Sequence, residues 1–280
     1  MYRIVKKRNL NPSVTLLSVE APLVAAKAQP GQFIILRVDE TGERIPLTIA
    51  DYDREAGTVT IIFQTVGATT KLLSQKGEGD FLADLVGPLG TASHLEGLEK
   101  VAVVGGGVGC AIAYPTAKAL FQKGAQVDVI IGFRNKDLIL LQDEFKKVST
   151  RYFCTTDDGS NGMKGFVSDI LKALIEEGNR YDAVIAIGPL IMMKVVSEVT
   201  RPYHIKTVIS MNPIMIDGTG MCGGCRVTVG GQTKFACVDG PEFDGHLVDF
   251  DEAMRRGKMY AGQEKERLGE MNCRLLKGAR

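Results

Sequence analysis

The sequence predicts a β-barrel, then a doubly wound α/β parallel sheet, then a cysteine-rich loop with a charged tail. Three observations carry this reading. Residues 1–95 hold short runs rich in β-branched residues, separated by Pro, Gly, Asn and Asp. In residues 96–210, apolar runs alternate with amphipathic stretches, the pattern of strand–helix–strand units. In residues 211–250, three of the chain's six cysteines gather in a glycine-rich segment.

In the first part, strands are expected at residues 4–7, 14–20, 33–38, 45–51, 59–66 and 81–86, with one short helix at 69–75. Six strands and a helix make a small barrel. Three stretches look chemical. Pro30-Gly31-Gln32-Phe33 is a turn feeding a strand. Arg44, with Pro46, Leu47 and Thr48, sets a cation and a hydroxyl at a strand start, where both can meet a phosphate or a ring edge. Gly67-Ala68-Thr69-Thr70 precedes the helix, so its amides and hydroxyls can hold an anion, or simply cap the helix.

In the second part, strands are expected at residues 101–104, 127–131, 152–155, 183–187 and 206–210, and helices at 111–122, 138–148, 167–177 and 191–200. A sheet so wound binds its ligand beyond the carboxyl ends of its strands. The loop Gly105, Gly106, Gly107, Val108, Gly109 follows the first strand, and its amides can cradle a pyrophosphate. Cys110 stands where a third spaced glycine would be. Asp128 lies inside the second strand, so the usual acidic ribose ligand is not evident there. Arg134 and Lys136 after that strand either face a phosphate or are solvated. Thr156, Asp157, Asp158, Gly159 and Ser160, and the pair Gly188 and Pro189, fall at the same strand ends.

The third part centres on Cys222-Gly223-Gly224-Cys225. Residues 226–229 and 233–236, around Gly230-Gly231, read as a hairpin that returns Cys237 to the first pair. Asp217, Cys222, Cys225 and Cys237 give Asp-x4-Cys-x2-Cys-x11-Cys, close to the spacing of plant-type [2Fe–2S] sites with aspartate in first place. Tetrahedral zinc is a competing reading, with His246 or Asp239 as fourth ligand, and so is a metal-free dithiol. His94, His204, Cys154 and Cys273 form no constellation and read as structural or packing residues. Within 251–280, residues 252–259 and 264–276 can form short helices on a partner surface or in solvent.

Composition narrows the class. A chain of 280 residues has room for two ordinary domains, and 45% hydrophobic with 24% charged residues describes a globular protein. A net charge of +1 speaks against nucleic acid as a partner. No apolar run reaches the ~18 residues of a membrane span, and the N-terminus lacks a signal-peptide core. Cysteines clustered around one Cys-x-x-Cys suit a reducing compartment, so a cytoplasmic location is expected.

Taken together, these motifs resemble the ferredoxin–NADP+ reductase-like flavoproteins that carry an appended [2Fe–2S] loop, over essentially the whole chain. Two branches come nearest: dihydroorotate dehydrogenase electron-transfer subunits, and small subunits of NADH-dependent ferredoxin–NADP+ oxidoreductases, also called sulfide dehydrogenase small subunits. Asp217 in place of a fourth cysteine favours the second. The resemblance implies FAD held by Arg44, Pro46, Leu47, Thr48, Gly67, Thr69 and Thr70, with Ile62, Phe63 and Gln64 on the strand leading into that turn. It implies NAD(H) or NADP(H) at Gly105, Gly106, Gly107, Gly109, Asp157, Asp158, Gly188 and Pro189, and a [2Fe–2S] cluster on Asp217, Cys222, Cys225 and Cys237. It also implies an oxidoreductase subunit without a conventional catalytic acid or base. Its partner would be a larger flavin/[4Fe–4S] subunit in a heterodimer, with ferredoxin reached indirectly. Outside this class, the rival is a nucleotide-binding module with structural zinc.

Overall fold

The computed structural model describes residues 1–278, with side chains through residue 269. Seven strands build the first sheet: β1 (Tyr2–Asn11), β2 (Val14–Glu20), β3 (Phe33–Arg37), β4 (Arg44–Asp53), β5 (Thr58–Gln64), β6 (Phe81–Leu82) and β7 (Asp84–Leu89). Helices α1 (Pro22–Ala25) and α2 (Ala68–Gln75) fall between them. The order is β6-β1-β2-β5-β4-β3-β7, antiparallel throughout. The two edge strands are separated in sequence by Ala83 alone, so the sheet curls until its edges nearly meet. The expected single strand at 81–86 is therefore two strands on opposite edges. The barrel interior is filled by Ile4, Leu17, Val19, Ile34, Leu36, Ile49 and Ile61, all at most 1% exposed. Each such burial stabilises by roughly 1.5–3 kcal/mol.

The second sheet runs β10 (Arg151–Thr156), β9 (Gln126–Phe133), β8 (Lys100–Gly106), β11 (Ala183–Ile187), β12 (Thr207–Ser210), β15 (Glu242–Asp244). The first five are parallel. Alternation along β8 divides the core: Val101 and Val103 pack with α3 (Gly109–Gln122) and α4 (Gln142–Lys146), whereas Ala102 and Val104 pack with α5 (Val167–Glu176) and α6 (Leu190–Thr200). One correction concerns residues 138–148, which are not one helix. Leu141 takes a left-handed φ of 55°, leaving a 3-10 turn at Lys136–Leu138 and only the short α4. Its apolar spacing still serves burial, with Phe145 meeting Tyr114 edge-on at 5.5 Å.

A second correction is that the sheet is not wholly parallel. β15, downstream of the cysteines, pairs antiparallel with β12 through Ser210↔Glu242 and Val208↔Asp244. Residues 211–250 are thus sewn into the α/β sheet, with the hairpin of β13 (Arg226–Val229) and β14 (Gln232–Phe235) standing off it. They also touch the barrel. Phe33 and Ile35 of β3 share one core with Met211, Met215, Cys225 and Cys237. A β-carbon on Gly218 would stand 2.7 Å from Ile35 and 2.8 Å from Leu89, so only glycine lets this loop lie so close. The segment is a wedge between the two domains rather than an appendage.

On the opposite side, Lys118 of α3 grips Asp51 of β4 with two bonds of 2.9 and 3.0 Å, and Asn11 donates to the Leu138 carbonyl at 3.2 Å. After the wedge come α7 (Phe250–Gly257) and α8 (Ala261–Gly278), the latter lying beside α2. Cys273, expected as a packing residue, lies outside the residues whose side chains are described.

Candidate cofactor cleft and thiol centre

Where barrel and sheet meet, a cleft of about 740 Å³ opens over the carboxyl ends of the parallel strands. From the barrel it takes in Phe33, Pro46, Leu47, Thr48 and Gln64. From the sheet it takes in Gly106, Gly107 and Gly109 at the start of α3, Asp157 after β10, and Gly188 with Pro189 before α6. Two sets of residues, expected to meet different ligands, thus line one continuous space.

Other expected contacts lie outside that lining. Arg44 pairs with Asp84 across strand β3 at 3.2 Å. Ile62 and Phe63 are only 7% and 2% exposed, because their side chains serve the hydrophobic cores. Thr70 accepts from the Gly67 amide at 3.0 Å and so caps α2, while Thr69 donates to Glu43 at 3.1 Å. Gly105 is spent on packing, since a β-carbon there would stand 2.9 Å from the Cys110 sulfur. Asp158 accepts from the Ser160 amide at 2.9 Å, and bonds from Ser160 draw its carboxyl below the ordinary range. Asp128 sits low in β9, held by Arg151 on both oxygens and by the Tyr181 hydroxyl at 2.7 Å. Burial alone would raise its carboxyl, but these bonds bring it below the usual range.

The cleft also shows what the sequence reading passed over. Thr155 lines it, and its buried Oγ1 has no hydrogen-bond partner among the described residues. An orphaned hydroxyl at a parallel strand end fits a polar ligand such as a dinucleotide ribose. Its position beside Thr156 and Asp157 was the available signal. Phe166, 62% exposed at the start of α5, and Asn212 after β12 line the cleft as well. Neither carries a motif.

Two of the three loop thiols meet within the core that Phe33 shares. Cys225 and Cys237 are each 1% exposed, with sulfurs 3.2 Å apart, as the expected hairpin return requires. Burial, reinforced by the Cys225 sulfur, pushes the Cys237 thiol up to about 12. Cys222 is exposed, its sulfur accepting from the Gly224 amide at 3.5 Å. The Asp217 carboxylate reaches across the loop to the amides of Thr219 at 2.9 Å and Cys222 at 3.2 Å. The Thr219 bond leads in drawing its carboxyl below the ordinary range. Among the described residues, no three His, Cys, Asp or Glu side chains converge as a metal site. The donor chemistry nevertheless fits an iron–sulfur cluster: three soft thiol donors and one carboxylate, on a loop whose Gly218, Gly220 and Gly223 all take positive φ.

Each candidate fourth ligand for zinc already has a hydrogen-bond partner, as Asp217 does. His246 bonds Thr200 at 3.0 Å, and the Asp239 carboxylate is taken by the Phe235 amide at 2.6 Å. Cys110 is fully buried, which drives its thiol far above the ordinary range and suits packing rather than chemistry.

A curled antiparallel barrel and a nucleotide-type sheet sharing one cleft, with thiols wedged at their junction, define an electron-transfer flavoprotein of the ferredoxin reductase fold. Comparison with known proteins agrees. Residues 103–198 match the model of the oxidoreductase NAD-binding domain, and 212–249 match that of the iron–sulfur cluster binding domain of dihydroorotate dehydrogenase B. The chain is 49% identical over 265 residues to the dihydroorotate dehydrogenase B (NAD(+)) electron transfer subunit homolog of Thermotoga maritima, covering 95% of this chain and 93% of that one. It is 56% identical over 272 residues to the "Uncharacterized protein in adh 3′ region" of Clostridium beijerinckii, covering 94% and 92%. A solved structure concerned with flavin-based electron bifurcation in an NADH-dependent reduced ferredoxin-NADP oxidoreductase superposes with TM-score 0.91 at 47% identity, covering 96% of this chain and 97% of that one. The ferredoxin reductase of carbazole 1,9a-dioxygenase shares the fold alone, with TM-score 0.61 at 18% identity over 73% and 65%.

The chain belongs to the family of dihydroorotate dehydrogenase B electron transfer subunits and their homologues. It is an oxidoreductase subunit that works with FAD, an iron–sulfur cluster and NAD(H).

Proposed function

We propose that the chain moves electrons from NADH through FAD in the interdomain cleft to a [2Fe–2S] cluster on Asp217, Cys222, Cys225 and Cys237, and on to a larger partner. Flavin supplies the exchange between paired electrons from nicotinamide and the single electrons that iron–sulfur centres accept. The chain's own residues position and exclude water. Pro46, Leu47 and Thr48 hold the flavin side, with Arg44 and the Gly67–Thr70 turn as its outer contacts. Gly106, Gly107 and Gly109 admit the pyrophosphate, and Thr155, Asp157 and Phe166 receive the adenosine half.

The observation that carries this reading is Phe33. It lines the cleft and belongs to the same hydrophobic core as Cys225 and Cys237, so one continuous core joins cleft and thiols. Functionally the chain divides at residues 95, 210 and 250: flavin barrel, nucleotide domain, cluster wedge and helical tail.

The partner in this proposal is a larger subunit carrying a second flavin and [4Fe–4S] clusters, through which ferredoxin is reached. The name of the 47%-identical structure and the aspartate in first place support this choice. NADH is favoured over NADPH by the names of the same relatives. Unpaired cysteines among the described residues support a cytoplasmic setting, and no described helix is long and apolar enough to cross a membrane. The test is a visible spectrum of the purified chain with iron quantification. Flavin bands, iron–sulfur absorbance and bleaching by NADH are expected; a colourless, zinc-containing protein would refute the reading. Co-purification and sequencing of the bound subunit tests the partner.

A further inference from the structure

Two guanidinium groups hold the Cys222–Cys225 loop from outside. Arg226 Nη1 donates to the Gly223 carbonyl at 3.1 Å, and Arg256 Nη2, reaching from α7, donates to the Gly224 carbonyl at 3.2 Å. A trans peptide is planar, with its N–H opposed to its C=O. Fixing the Gly223 carbonyl on the arginine therefore turns the Gly224 N–H the other way, and it meets the Cys222 sulfur at 3.5 Å. By the same geometry, Arg256 sets the direction of the Cys225 N–H. Gly223 adopts φ +68°, and a β-carbon there would touch only the Phe235 ring, at 3.9 Å. Backbone conformation, not space, demands that glycine.

Neither arginine lines the large cleft; both border a smaller cavity of about 250 Å³ beside Cys222. Their bonds go to the loop itself.

We propose that Arg226 and Arg256 are positioning residues that raise the reduction potential of the centre on Cys222 and Cys225. They do so by fixing the loop peptides, so that the Gly224 N–H points at the Cys222 sulfur, and by placing two cations on the loop. The inference rests on the cluster reading above. One-electron reduction adds one negative charge and makes or breaks no bond at the ligands. N–H donors and cations stabilise that added charge, and hydrogen bonds to sulfur are an established lever on such potentials. Arg226 is exposed, so solvent screens its charge and its contribution comes mainly through the peptide it orients.

The test uses the full chain carrying its cluster, with Arg226→Gln, Arg256→Gln and Arg256→Lys compared by redox titration under electron paramagnetic resonance. Each Gln variant should shift the balance about tenfold toward the oxidised form, which is about 59 mV lower for a one-electron couple, at unchanged iron and sulfide content. Arg256→Lys, still a cation able to donate to the same carbonyl, should recover most of that shift. Unmoved potentials in both Gln variants at full iron content would overturn the inference. The unmutated protein provides a second measurement, independent of how the variants fold. Its iron–thiolate stretching bands in resonance Raman spectra should shift between H2O and D2O, and bands insensitive to exchange would equally overturn it. A parent chain that binds no iron would defeat the proposed function instead, so the two failures are distinguishable.

Discussion

Gly107 and Gly109 stand two residues apart in one loop and answer to different constraints. A β-carbon at Gly107 would meet nothing within 4 Å, yet its φ is +56°. At Gly109 it would stand 2.5 Å from the Ile187 carbonyl oxygen, where α3 passes over the end of β11. Gly107→Ala should therefore cost about 1–2 kcal/mol of stability through its left-handed backbone, while its methyl group intrudes on the cleft and raises the Kd for NADH several-fold. Gly109→Ala should lower stability by about 3 kcal/mol, the upper end of overpacking, because backbone rather than a flexible side chain must give way. Urea unfolding beside NADH titration separates the two; equal effects would remove the distinction. Asp217 allows a similar split. Asp217→Asn keeps an oxygen that can accept from Thr219, gives up the bond from Cys222 and loses the charge, so it should retain most of the loop and lose iron. Asp217→Cys should retain iron with an altered paramagnetic spectrum. Full iron in Asp217→Asn would remove the carboxylate from the ligand set. The meeting of Cys225 and Cys237 was legible because the hairpin that returns Cys237 is written locally in the sequence. Thr155 and Phe166 were not, because an orphaned hydroxyl or an exposed ring becomes visible only when neighbouring strands are in place.

Among the elements, β2, β11 and β13 were read most closely and fall at the expected residues, since their β-branched runs have no competing helical solution. The missed elements were decided by contacts from afar. β15 has three residues and exists only because the edge of β12 accepts it. α4 is short because Leu141 turns left-handed to place Phe145 under Tyr114. β15 carries its own prediction. Glu242 accepts from Ser93 at 2.6 Å, joining the linker after the barrel to this edge strand. Burial pushes the Glu242 carboxyl above its ordinary range, outweighing Ser93 and His94. A carboxyl raised in the folded state contributes stability fully below its unfolded value of about 4.3 and loses it as pH rises through the folded value. Glu242→Gln should thus match the parent below about pH 4 and exceed it at neutral pH, the gap widening and then levelling. Thermal unfolding across pH tests this; a variant less stable than the parent at pH 7 would mean that the charge is held favourably.

At the scale of the molecule, the two domains are joined on one side by Lys118 and Asp51 and on the other by the wedge. Lys118→Met removes a half-exposed ion pair, for which about 0.2–1 kcal/mol is expected, so unfolding should change little. Since α3 begins at the glycine loop and β4 carries Thr48, the same variant should loosen the alignment of their two ligands and lower kcat for NADH oxidation more than it raises KM. A KM effect with kcat intact would place the pair outside that alignment. The domain order was legible because the barrel and the α/β unit have different hydrophobic periods. The wedge was not, since Phe33 and Ile35 share a core with Met211 and Cys237 from far downstream in the chain, which leaves no local trace.

That wedge also dictates a sequence of events during synthesis. The barrel can close once β7 has left the ribosome, because its last strands need nothing downstream. Five parallel strands are complete at Ser210, but the sheet's final strand and Cys237 emerge only afterwards. Both domains are thus built before the thiols meet, and iron delivery belongs to the last stage of the chain's maturation. A polypeptide ending at residue 210 is expected to fold in both domains while leaving Phe33 and Ile35 uncovered. It should bind a hydrophobic dye that the full chain ignores; a truncated chain with no such binding would show that the seam closes without the wedge.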